Sequence, residues 1–210
     1  MMKRSPRPGS SLSEALRLLR LGLSVIPVRW KEKKPRVAWK EFQARRATEE
    51  EVCGWYQRWP GAGVAIVCGR VSGIVVVDCD PRNGEGLTAL ADRLPPTATS
   101  ETGGGGRHYY FSSRGARIPK LPALLPGVDL QGEASYVIAP PSLHASGGHY
   151  RWLPGFALGA VPLAPLPLII RQLIALHRNR EVEGPAGPAP LNARGLALDA
   201  LPSVPMIVRH

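Results

Sequence analysis

Two carboxylates close an apolar run, Asp78 and Asp80 in GIVVVDCD (73–80). In a strand, residues i and i+2 project from one face with Cα atoms roughly 7 Å apart. Placed so at the exit of a buried strand, they suit a divalent, oxygen-ligated ion such as Mg²⁺ or Mn²⁺. The plainer reading is two solvated strand-end acids before a Pro81-Arg82-Asn83-Gly84 turn. Asp129 adds a third acid, between Val128 and Leu130 of GVDLQG, where an unpaired carboxylate costs folding energy. Three carboxylates with open coordination positions fit two ions about 3.5–4 Å apart, an arrangement that clamps phosphates for in-line transfer.

Further stretches supply groups for an anion. In TGGGGRHYYF, Gly103 to Gly106 let backbone approach a phosphate, Arg107 offers a fork of donors, and His108 can donate to an anionic oxygen. The glycines read equally well as a hairpin loop. In APPSLHASGGHYRW, Pro140-Pro141 fix an extended turn that exposes Ser142 and His144; His144 also reads as a surface turn residue, and His149 as an ordinary strand residue. The basic loop RWKEKKPRVAWKEFQARR carries Lys34 and interleaves Trp30, Trp39 and Phe42 with Lys and Arg, a pattern for single-stranded nucleic acid. Those aromatics fit a core as well, Trp39 above all.

These residues need a scaffold, and the pattern is helix–strand–helix followed by strands, an α+β order. Ser11 or Ser13 caps a helix with Leu12, Leu16, Leu19 and Leu23 on one stripe, and SVIPV (24–28) follows as a strand. Thr48 with Glu51 opens a capping box for a helix carrying Val52, Trp55, Tyr56 and Trp59. The runs 63–69 and 73–80, joined by Arg70-Val71-Ser72, predict a hairpin of buried strands. A short helix over Gly86–Leu94 and strands at 97–102, 107–113, 127–132, 135–142 and 149–155 complete the series. A helix from about Pro167 to Arg180 follows, then the linker GPAGPAPLNA. The resulting division is a flexible basic leader over 1–11, a catalytic domain over 12–155, a Leu/Pro-rich helical segment over 156–183 and a linker and tail over 184–210.

Composition narrows the class of partner. The chain has 210 residues and a formal net charge of +11. Residues 1–46 hold 13 Lys and Arg against 3 acids, whereas 47–210 hold 14 against 13. Basic surface concentrated at one end favours a polyanion, because each neutralised phosphate releases counterions. The three cysteines form no CxxC pair, which argues for reduced thiols and against zinc. No apolar run approaches the roughly eighteen residues a spanning helix needs. Arg17 and Arg20 interrupt the apolar N-terminal stretch, so a secretion signal is rejected and a cytoplasmic protein is expected.

The order of these motifs resembles the N-terminal domain of bifunctional DNA primase/polymerases, the prim-pol branch of the archaeo-eukaryotic primase superfamily. The matching stretches are GLSVIPV, KKPRVAWKEF, GVAIVCGRVSGIVVVDCD, TGGGGRHYYF, GVDLQGEASYVIAPPSLH and GGHYRW, over about residues 12–155. The resemblance implies an RNA-recognition-like (RRM-like) β-sheet core with an accessory N-terminal αβ half, plus a short C-terminal helix and tail. It also implies a nucleotidyltransferase that makes or extends primers on single-stranded DNA from dNTPs or NTPs. By the family pattern, Asp78, Asp80 and Asp129 are the catalytic acids that bind two Mg²⁺ or Mn²⁺ ions, and His108 contacts the nucleotide's phosphates. Arg107, Lys34, Ser142 and His144 are expected to touch nucleotide or template. Some relatives are fused to a helicase or carry a zinc-binding stem. The chain has neither a GxxxxGK[ST] loop nor zinc spacing, so a separate helicase or other replication protein is the expected partner, and primer extension is better supported than initiation. A catalytically weak nucleic-acid-binding replication module of the same fold is the alternative; a DxD nucleotide-sugar transferase leaves GVD and PPSxH unexplained.

Overall fold

The Ser10 hydroxyl accepts the Ser13 amide at 3.1 Å, so the first helix is capped by Ser10 and not by Ser11 or Ser13. In this computed structural model, which describes residues 10–86, 90 and 93–183, the helices are α1 (Ser11–Arg20), α2 (Glu49–Arg58) and α3 (Leu168–Glu183). The strands are β1 (Ser24–Val28), β2 (Gly63–Val67), β3 (Ile74–Cys79), β4 (Thr99–Glu101), β5 (Arg107–Ser112), β6 (Leu121–Leu125), β7 (Val128–Gln131), β8 (Tyr136–Ala139) and β9 (Arg151–Trp152). This is an α+β fold. The expected leader and tail and much of the expected 86–94 helix lie outside the described residues.

The capping box forms as the sequence predicts. The Glu51 amide donates to Thr48 Oγ1 at 3.2 Å and the Thr48 amide donates to the Glu51 carboxylate at 2.8 Å. Two antiparallel sheets then organise the chain, one in the order β1-β2-β8 and the other β6-β7-β3-β5-β4-β9. The predicted hairpin between 63–69 and 73–80 is not formed. β2 pairs with β1 and β8, while β3 pairs with β5 and β7, and only a Gly69–Ile74 bridge links the two runs. Both strands are buried almost throughout, so each takes a partner on both edges, and those partners lie in different sheets. β6, which the sequence reading missed, is an edge strand that tolerates Pro122 and breaks register between Leu121 and Leu125.

Alternation along β3 divides the larger sheet into two faces. Val75, Val77 and Cys79 join Phe111, Val128 and Leu130 beneath Ile169, Ile170, Leu173 and Ile174 of α3. The helical segment beyond residue 155 therefore packs on the sheet. Ile74, Val76 and Tyr110 face the other way, into a core shared with α1, α2 and the smaller sheet. The cysteines are free, and burial pushes the Cys68 and Cys79 thiols up to about 12, as suits packing residues. Among the described residues, no helix is long and apolar enough to cross a membrane.

Candidate active site

The site begins where the apolar face of β3 ends. Ile74 and Val76 are fully buried, then Asp78 continues the same face and Asp80 follows just past the strand. Asp78 lies opposite Asp129 of β7 on one side and His108 of β5 on the other. His108 in turn faces Ser100, and Ser100 faces Trp152. Opposed residues in an antiparallel pair share a face, so Asp129, Asp78, His108, Ser100 and Trp152 form one row across five strands.

A cleft of about 400 Å³ opens over the acidic end of this row, lined among others by Lys33, Asp78, Asp80, Arg82, Thr102, His108, Asp129 and His144. A second lobe of about 320 Å³ shares Lys33, Asp78 and His108 with it and runs on to Trp39, Lys120, Gln131, Tyr136 and Tyr150. His108 is 4% exposed, with Nε2 3.4 Å from Asp78 Oδ1. Its Nδ1 is buried and has no hydrogen-bond partner among the described residues. A buried polar atom left so is destabilising unless a ligand completes it.

Each acid also meets a protein group. Arg82 holds Asp80 through its backbone amide at 3.0 Å, Nε at 2.9 Å and Nη2 at 2.7 Å. These bonds keep the Asp80 carboxyl below the usual carboxylate range, against a smaller desolvation that raises it. Asp129 Oδ1 accepts the Ala123 amide at 2.7 Å. Among the described residues, no three carboxylate, imidazole or thiol groups converge as a ready metal cluster. The donor set nonetheless fits a hard divalent ion: the three acids offer only oxygen, and the opposed Asp78–Asp129 pair is a like-charge contact that a cation relieves.

The glycine run is built for packing more than for a ligand. The Thr102 amide donates to the Gly106 carbonyl at 2.8 Å, and the Gly106 amide to Thr102 Oγ1 at 2.9 Å, closing the β4–β5 turn. A Cβ on Gly106 would lie 2.5 Å from the Cys79 carbonyl oxygen, and one on Gly103 would lie 2.4 Å from that of Gly148. Gly104 is the member beside the cleft, next to Arg82 and His144.

The other expected residues divide. His144 lines the cleft; its Nδ1 accepts the Ser146 amide at 3.1 Å, so the neutral ring carries its proton on Nε2. Burial first, then the charges of Lys33 and Arg82, hold it below the ordinary histidine value. Ser142 is buried, and its hydroxyl accepts the Val64 amide at 2.8 Å and donates to the Val64 carbonyl at 3.1 Å, which ties the turn after β8 to β2. Arg107 projects from the opposite face to His108, exposed and 3.5 Å from Glu101. Lys34 is exposed, and its carbonyl accepts the Arg29 amide at 2.7 Å; Lys33, at φ 57, is the lysine that lines both lobes. Of the loop aromatics, Trp30 is 57% exposed with Lys31 Nζ 4.7 Å from its ring centroid. Trp39 packs edge-on against Tyr136, and Phe42 is core. Sequence reasoning missed Lys33, Arg82, Thr102 and Tyr150; the position of Arg82 directly after Asp80-Pro81 was the one available signal.

No curated protein matches this chain. A family model described as bifunctional DNA primase/polymerase, N-terminal, matches residues 15–169, which run from α1 to the start of α3 and include every cleft residue named above. Both sheets and the acid row thus fall within one match covering most of the sequence, and the chain belongs to the family of N-terminal domains of bifunctional DNA primase/polymerases.

Proposed function

We propose that the cleft carries out template-directed nucleotidyl transfer on single-stranded DNA, from dNTPs or NTPs. The observation that carries this reading is the row Asp129–Asp78–His108 across three neighbouring strands, with Asp80 beside it and Lys33 and Arg82 lining the same cleft. Asp78, Asp80 and Asp129 would hold the divalent ions, Mg²⁺ or Mn²⁺, which when bound neutralise phosphate charge and activate the attacking hydroxyl. His108 lines both lobes and, among the described residues, has no hydrogen-bond partner at Nδ1, which suits contact with the triphosphate. Lys33 lines both lobes, which suits the nucleotide's phosphates in the first and the strand's in the second, and His144 lines the first. The second lobe has the aromatic rings of Trp39, Tyr136 and Tyr150 with Lys120 at hand, a combination that suits bases and a strand backbone. A primer 3′-hydroxyl, or that of a first nucleotide, attacks the α-phosphorus; the new P–O bond forms as the bond to pyrophosphate breaks, and the hydroxyl's proton passes to solvent. Positioning and charge neutralisation supply most of the rate.

The protein bonds to Asp80 and Asp129 favour a second reading, a nucleic-acid-binding module with little chemistry. A gel assay separates the two, with primed and unprimed single-stranded templates, labelled dNTPs or NTPs, Mg²⁺ or Mn²⁺, and an Asp78→Ala/Asp80→Ala control. Products on primed template that vanish in the control support a polymerase; products also on unprimed template add primer initiation. Tight template binding with no product in any lane supports the module.

A further inference from the structure

We propose that Arg82 is an exchangeable counter-ion: it holds Asp80 until a divalent ion claims that carboxylate, and then turns to the triphosphate of the incoming nucleotide. The proposal rests on the nucleotidyl-transfer reading of the cleft.

The geometry makes Arg82 a direct competitor for Asp80. The backbone amide and Nε share Oδ1, while Nη2 takes Oδ2, so both carboxylate oxygens are engaged by one residue two positions away. The clamp is local. Asp80 caps the short 3₁₀ turn Pro81–Asn83, which keeps the guanidinium near the carboxylate by chain geometry alone. It is also weak, because the Arg82 side chain is 57% exposed. An exposed pair of this kind shifts an equilibrium by about fivefold at most, well within what a divalent ion can displace.

The same side chain already lies against the other half of the cleft. A Cβ on Gly104 would come within 3.1 Å of Arg82 Nη2, so the guanidinium rests beside the glycine loop, on the side lined by His144. Lys33 lines that lobe as well. A triphosphate entering there meets a planar fork of donors suited to bidentate phosphate contact. Once Asp80 turns to an ion, Arg82 has lost its anion and the phosphates provide another. Because both ligands break the same Asp80–Arg82 bond, each favours the binding of the other. Arg82 thereby keeps the acid neutralised in the absence of ligands and ready for ion and nucleotide together.

Binding measured without turnover tests this. The full chain, Arg82→Ala and Arg82→Lys would be titrated with Mn²⁺ alone, followed by the free-ion EPR signal, and with a non-hydrolysable dNTP analogue at saturating Mn²⁺. Arg82→Ala is expected to bind Mn²⁺ alone about two- to fivefold more tightly, since the competing cation is gone. It is expected to bind the analogue about tenfold more weakly or worse, since a charged phosphate contact is lost. Arg82→Lys should fall between wild type and Arg82→Ala in both titrations, and it keeps the test open should the alanine variant fold poorly. A purely structural Arg82 would not move the two affinities in opposite directions. Mn²⁺ affinity no tighter in Arg82→Ala than in wild type, or unchanged analogue affinity, overturns the proposal. The incorporation assay reports separately: opposite shifts in a protein that synthesises nothing uphold the exchange and reject the polymerase reading, whereas active synthesis without those shifts does the reverse.

Discussion

Asp78 and Asp129 stand directly opposite one another on β3 and β7, two carboxylates on one face of adjacent strands. Like charges so placed destabilise an antiparallel pair by about 0.2–1 kcal/mol. Asp78→Asn should therefore raise the melting temperature in metal-free buffer, by roughly 2–4 °C for each kcal/mol in a chain of this size. Asparagine has nearly the shape of aspartate, so it keeps its place beside His108 Nε2, which lies 3.4 Å from Asp78 Oδ1, and the Asp129 bond to Ala123 is untouched. Incorporation should be lost in the same variant. Adding Mn²⁺ should stabilise wild type and not Asp78→Asn, because only a bound ligand shifts the folding equilibrium. Thermal melts with and without the ion check both; a lower metal-free melting point in the variant contradicts the charge argument.

Two neighbouring lysines have different outlooks, and mutation separates them. Lys33 lines both lobes, whereas Lys34 is exposed outside them. Lys33→Ala should weaken single-stranded DNA binding and lower the slope of log K against log salt by about 0.7, the loss of one phosphate contact. Lys34→Ala should leave that slope near wild type. Alanine at φ 57 meets the same backbone strain as lysine, so the first variant should melt like wild type. Fluorescence anisotropy across a salt series makes the comparison.

Ser142 should prove to be a fold residue. Its hydroxyl completes both backbone groups of Val64 inside the protein. Ser142→Ala leaves them without that partner and should destabilise the fold by about 1–3 kcal/mol, read by urea denaturation. Mn²⁺ and nucleotide affinity of the folded variant should stay close to wild type; a large loss of nucleotide affinity with unchanged stability would return Ser142 to the site.

His144 should titrate below its ordinary value of 6.5, through burial and then the nearby Lys33 and Arg82 charges. The sign follows directly: as pH falls below about 6.5, the unfolded chain protonates this ring and the folded protein resists. The contribution of His144 to stability therefore declines from pH 6.5 down to the folded value and is flat beneath it. An NMR titration of the ring protons should give a midpoint under 6.5 in wild type and a higher one in Arg82→Ala. A wild-type midpoint at or above 6.5 rules the environment out.

Much of the fold was legible because its signals are local. Thr48 and Glu51 stand three residues apart, as a capping box requires, and the box forms. The strands at 74–79, 107–112, 128–131 and 136–139 follow apolar runs and period-two alternation. The 121–125 strand escaped because Pro122 and the irregular register between Leu121 and Leu125 disguise it. The glycine run was visible, but its purpose was not: Gly103 and Gly106 answer to the carbonyls of Gly148 and Cys79, which only folding brings near.

Local sequence settles where the acids end a buried strand, which segments alternate as strands, and the motif order that marks the family. Each of these is set by a residue and its near neighbours, through backbone preference and side-chain period. Tertiary structure alone decided that β2 and β3 part into different sheets, that Asp129 and His108 flank Asp78, and that Lys33 rather than Lys34 lines the cleft. It likewise placed Arg107 on the far face, gave Ser142 to Val64, and brought Arg82 to Asp80. Strand register has to bury both faces of a sheet at once, so it is chosen among partners tens of residues apart, and a slip of one residue sends every side chain to the opposite face.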